Sequence, residues 1–170
     1  MLFLFIYFLS QVNISVNVEK QTAIFSLLSL PFFPLNTDGI DPSGSNILIE
    51  NSHITNYDDA VAVKSLTSTG KYSNCTENVT IRNVTIFMSV GATIGSVGPD
   101  PDVSCVRGVL FEAITFHSAI KGIYLKSNPG DQGFGIIENI RYQDIRVFGS
   151  IWYPIWIGPQ QEVYFLPSFL

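Results

Sequence analysis

Three aspartates carry the chemistry this sequence offers. Asp38 closes the stretch Asn36-Thr-Asp38, and 21 residues later Asp59 follows Asp58. The same step of 21 takes Ile40 to Val61, so the offset reads as one turn of a repeat that stacks Asp38 on Asp59 with Asp58 beside them. Carboxylates within several ångströms raise one another's pKa, because like charges cannot all ionise comfortably. One can then stay protonated as a general acid while another stays ionised as a base. Glycoside hydrolysis uses that division of labour, usually with roughly 6.5–9.5 Å between the carboxyls for an inverting reaction. The competing reading is turn chemistry, since Asp-Asp and Asn-x-Asp commonly bond their own backbone.

Other polar and aromatic residues fall on the same repeat. Lys64 and Lys126 sit at strand ends, Lys126 as a candidate substrate contact and otherwise a solvated surface lysine. Tyr124 and Trp156 read as outward platforms for sugar, with packing beneath a loop as the alternative. His53 and His117 stand in different registers, and no His, Cys or carboxylate grouping has metal-ligand spacing. No phosphate loop or nucleophilic triad is visible, so no cofactor and no metal is expected. A net charge of -5 excludes nucleic acid, which needs clustered Lys and Arg. It does not favour an acidic ligand either: for such a ligand, local cations must overcome the global field.

The elements that position these residues are repeats. Four segments share one pattern, starting at Asn46, Asn78, Gly108 and Asn139, with separations of 32, 30 and 31 residues. A second set keeps step: Val61-Ala-Val-Lys-Ser65, Ala92-Thr-Ile-Gly-Ser96, Ile123-Tyr-Leu-Lys-Ser127 and Ile155-Trp-Ile-Gly-Pro159. Both are short, alternating and β-branched, hence strands, and Gly, Pro, Ser and Asp separate them. A fixed period without helices favours an all-β solenoid, a parallel β-helix, over an antiparallel sandwich. Val61, Ala92 and Ile123 then form an inward column. Ala62, Thr93 and Tyr124 point outward, as do Lys64, Gly95 and Lys126.

Cys75 and Cys105 each precede a repeat start by three residues, so stacking brings their Cα atoms within disulfide range. That bridge fits an oxidising compartment; two buried thiols are the alternative. Asn13, Asn74, Asn78 and Asn83 head N-x-Ser/Thr sequons, which inward asparagine ladders also generate. Residues 1–35 form an atypical apolar segment, read as signal-like, as a misassigned start or as a first strand. The run Met1–Ser10 is too short for a membrane span. The domain is expected over residues 36–165.

These motifs resemble glycoside hydrolase family 28, the polygalacturonases. Asn36-Thr-Asp-Gly-Ile-Asp41 is similar to the family's N-T-D motif, and Asp58-Asp-Ala-Val-Ala-Val-Lys-Ser65 to its D-D-x-[VIL]-A-[VI]-[KN]-S motif. The resemblance runs from about Asn36 to Gln161. It implies a right-handed parallel β-helix of the pectin-lyase-like kind, truncated on its N-terminal side. It also implies inverting hydrolysis of pectic, galacturonan-type polysaccharide by a secreted, cell-wall enzyme acting as a monomer. By position Asp58 matches the general acid, and Asp38 and Asp59 the carboxylates that activate water. Two motifs depart: Val90 stands where the family has His, and Tyr124-Leu-Lys126 replaces R-I-K, keeping Lys126 but losing the arginine of a uronate clamp. The truncation implies weak or no turnover by this chain alone. A non-catalytic carbohydrate-binding or structural β-helix is the alternative.

Overall fold

In the computed structural model, the described residues are 17–18, 36–66, 75–98, 104–128 and 134–159, which leaves most of the apolar segment before Asn36 and the sequons at Asn13 and Asn74 outside them. Every regular element among them is a strand, and none is a helix long and apolar enough to cross a membrane. A two-residue strand, β1 (Asn17–Val18), precedes β2 (Ser45–Thr55), β3 (Asp59–Val63), β4 (Cys75–Phe87), β5 (Gly91–Val97) and β6 (Ser104–His117). Then follow β7 (Ile123–Ser127), β8 (Gly135–Gln143), β9 (Arg146–Phe148) and β10 (Ile155–Pro159).

All pairings are parallel. One sheet runs β1-β2-β4-β6-β8 with β9 also on β6, and the other runs β10-β7-β5-β3. Each coil therefore contributes one long and one short strand, and the chain is a right-handed parallel β-helix, the hand that parallel crossovers adopt. The 31-residue register is observed: Val61 pairs with Ala92, Ala92 with Ile123 and Ile123 with Ile155. An isolated bridge joins Ile40 to Val61, extending the column one coil upstream.

Stacking turns apolar positions into columns. Ile49, Ile81, Phe111 and Tyr142 lie in register, with the Phe111 and Tyr142 rings 4.6 Å apart and parallel. Ile54, Ile86, Phe116 and Val147 form another. Burying each such side chain stabilises the fold by about 1.5–3 kcal/mol. Simple alternation does not run the length of the long strands, because each turns two corners. Asn46, Asn78, Gly108 and Asn139 have φ of 55–62°, and Asn51, Asn83, Ala113 and Asp144 have φ of 51–53°. Only Gly, Asn and Asp visit this left-handed region cheaply, so the asparagines are corner residues. Their ladders are exposed rather than inward: Asn78 Nδ2 donates to Asn46 Oδ1, and Asn83 Nδ2 to Asn51 Oδ1 at 2.7 Å. Cys75 pairs with Cys105 in register, and the two are joined as a disulfide with Cα atoms 4.4 Å apart.

Candidate active site

The three aspartates converge. One carboxylate oxygen each from Asp38, Asp58 and Asp59 lies within 4.8 Å of the others. Backbone bonds from Gly39 N to the Asp59 carbonyl (2.8 Å) and from Ile40 N to that of Ala60 (3.1 Å) lay the Asp38 loop on the start of β3. Asn56 holds the same junction from inside. Its buried amide nitrogen donates to the carbonyls of Thr37 (3.0 Å), Asp58 (2.9 Å) and Asp59 (2.7 Å), so one side chain ties both acidic segments together. The Asp58 carbonyl also accepts from Ser89 Oγ (2.8 Å) and Val90 N (2.9 Å) in the next coil.

Each carboxylate has a different environment. Asp59 is fully buried; Thr93 Oγ1 donates to one oxygen at 2.6 Å and Lys126 Nζ to the other at 2.5 Å. Asp58 accepts backbone N–H groups from Asn36 and Asp59, each at 2.9 Å. Asp38 is half-buried and pairs loosely with Lys64 at 3.3 Å, which also reaches Asp41 at 3.8 Å. Burial first, then the negative charges of Asp41 and Asp58, push the Asp38 carboxyl up to about 7; Lys64 opposes the shift and Asp59 adds to it. Burial likewise raises Asp41. Burial works to lower Lys126, but the charge and hydrogen bond of Asp59 outweigh it and the ammonium rises above its ordinary value.

The cluster thus stores a proton on one exposed carboxyl beside two others, the condition for paired acid and base work. Two oxygens up to 4.8 Å apart can share one water at about 2.8 Å from each. The spacing is tighter than the roughly 6.5–9.5 Å of the usual inverting pair. It is also tight enough to hold a cation, a grouping that the linear spacing hid because the three ligands come from two coils. Lys64 and Lys126 already supply positive charge there.

The outward column is not a surface. Ala62, Thr93 and Tyr124 are buried, Tyr124 to 3 % exposure, because this face is the floor of a cleft. The Asp38 loop closes one side. Lys121 lies over the Tyr124 ring at 3.8 Å to its centroid, and Lys126 at 5.2 Å. Tyr124 therefore has no open face for a sugar, whereas Lys126 sits inside the cluster. Exposed aromatic surface lies further along, where Trp152, Tyr153 and Trp156 pack with centroids 5.3–6.0 Å apart. His53 and His117 flank Phe87 in an outer ring stack, away from the carboxylates. A shallow cavity of about 280 Å³ lined by Asn46, Leu48, Asn78 and Arg82 contains none of these residues. Sequence reasoning missed Asn56 and Lys121: the first looks like a corner asparagine, and the second precedes the β7 motif.

Known proteins bear on the same residues. The family model for glycosyl hydrolases family 28 matches residues 9–164, starting upstream of Asn36. Probable exopolygalacturonase C of Aspergillus terreus is 38% identical over 142 residues, covering 83% of this chain and 30% of that protein. Its namesake in Aspergillus niger is 33% identical over 159 residues, covering 89% and 34%. Probable endopolygalacturonase D of Neosartorya fischeri is 35% identical over 121 residues, covering 71% and 23%. The chain spans about a third or less of the length of these curated relatives.

Proposed function

Because the chain belongs to glycosyl hydrolase family 28, we propose that its aspartate cluster hydrolyses glycosidic bonds in pectic, galacturonan-type polysaccharide. The observation that carries this reading is the meeting of Asp38, Asp58 and Asp59 within 4.8 Å, with the Asp38 carboxyl raised to about 7. In this reading one carboxyl protonates the leaving oxygen while another orients the attacking water. Asp58 takes the acid's part by its place in the family motif, and Asp38 and Asp59 activate water. The electrostatics add a distinction: in the empty site the shared proton rests on Asp38, so the three aspartates titrate as one coupled group.

Inversion at the anomeric carbon follows from family membership rather than from the carboxyl spacing. The Cys75–Cys105 bridge supports secretion to an oxidising, extracellular setting such as a cell wall.

The test is reducing-end release from polygalacturonate at mildly acidic pH. Asp58→Asn is expected to lower turnover by at least about 10²-fold, the scale of a lost general acid, with the fold intact by circular dichroism. Turnover by wild type that Asp58→Asn leaves undiminished would remove the hydrolase reading. Products absorbing in the near ultraviolet would indicate elimination instead.

A further inference from the structure

Lys121 is the cation the catalytic scheme leaves unused. It is 3 % exposed, yet among the described residues its ammonium makes no ion pair and no hydrogen bond. It is held against ring faces, 3.8 Å from the centroid of Tyr124 and 5.1 Å from that of Trp152. Burying an unpaired charge costs several kcal/mol, and cation–π contact offsets only about 1–2 of it. Its neighbours do not relieve the cost: burial first, and then Lys126, bring its pKa down to about 8, although Asp59 and Asp58 oppose that shift.

The backbone fixes where this charge stands. Lys121 N donates to the Val90 carbonyl at 3.1 Å, and Val90 N donates to the Asp58 carbonyl at 2.9 Å. Lys121 is thus two backbone bonds from the carboxylate cluster, in the coil above it. On its far side the Trp152, Tyr153 and Trp156 rings are open, Trp152 at 47 % and Tyr153 at 51 % exposure. A cation lacking a counter-ion, between acid/base carboxylates and an aromatic wall, suits a ligand that is both saccharide and anion: the ring stacks and the carboxylate pairs.

We propose that Lys121 is a specificity-determining residue that pairs with the carboxylate of a uronate bound beside the aspartate cluster. The inference rests on the pectic reading above and adds to it the residue that separates acidic from esterified sugar.

Calorimetric binding of short oligogalacturonates and their methyl esters tests it, using the full chain carrying Asp58→Asn to block turnover. The parent is expected to bind the acid at least tenfold more tightly than the ester. Lys121→Met should weaken the acid about 10- to 100-fold, the loss of a charge-assisted bond, and leave the ester unchanged. Lys121→Arg should keep most of the discrimination. If Lys121→Met is unfolded by circular dichroism, Lys121→Gln is read by the same criterion. Unchanged acid affinity, or equal loss for acid and ester, would overturn the assignment of Lys121 alone. A folded parent that binds neither form would overturn the pectic reading along with it.

Discussion

Asp38 is placed where a carboxylate is costly to ionise, and that cost appears in stability as well as in chemistry. Its pKa in the folded chain is about 7 against an ordinary 3.8, so between those values the folded state binds more protons than the unfolded one. Stability attributable to this group is therefore greatest below about pH 4 and is lost as pH rises through 7. Asp38→Asn removes the penalty. We expect the variant to be more stable than wild type at pH 8 by on the order of 1–3 kcal/mol, part of the gain being offset by the lost Lys64 pair. The gap should close near pH 4, as read by urea unfolding at the two pH values. Asn56 belongs to the same scale. It positions both acidic segments through one amide nitrogen while its Oδ1 is the one buried side-chain oxygen without a partner among the described residues.

At the scale of the element, the corners decide what the sequence reveals. The alternation of Val61, Ala92 and Ile123 is legible because β3, β5 and β7 are short and straight, and the structure keeps that register. In β2, β4 and β6 a left-handed residue every five or so positions resets which side chains face inward, so alternation fails across it. The carboxylate cluster was legible because Asp38, Asp58 and Asp59 lie within one coil step of the repeat. The burial of Tyr124 was not, since strand periodicity gives a side chain's direction but not what covers it. Ala113 is the corner residue whose type fits least. It sits at φ 53° opposite Asn83, where asparagine continues the ladder from Asn51. Ala113→Asn should raise stability by about 0.5–1.5 kcal/mol, by relieving left-handed strain and adding a ladder bond. Thermal unfolding checks this, with protein from a host that does not glycosylate the sequon thereby formed with Thr115.

The whole molecule sets a field that its site must overcome. The chain carries a net charge of -5, while Lys64, Lys121 and Lys126 gather at the cleft. An anionic polymer approaching from a distance meets repulsion first and attraction only at close range. Screening shortens the reach of charge from about 30 Å at 0.01 M salt to about 10 Å at 0.1 M. The association rate for oligogalacturonate should therefore rise over that range, while dissociation also quickens as the contact pairs weaken. Stopped-flow binding separates the two; an association rate that falls with salt would mean that the cleft's cations dominate at long range.

The central claim is that Asp38, Asp58 and Asp59 form one coupled group holding a proton near neutrality. Carboxyl ¹³C NMR of the folded chain tests it most directly, following Asp38 through a pH titration. The midpoint is expected at about 7 and should move toward the ordinary value in Asp58→Asn, which removes one of the charges raising it. A midpoint near 4, unmoved by Asp58→Asn, would contradict the account.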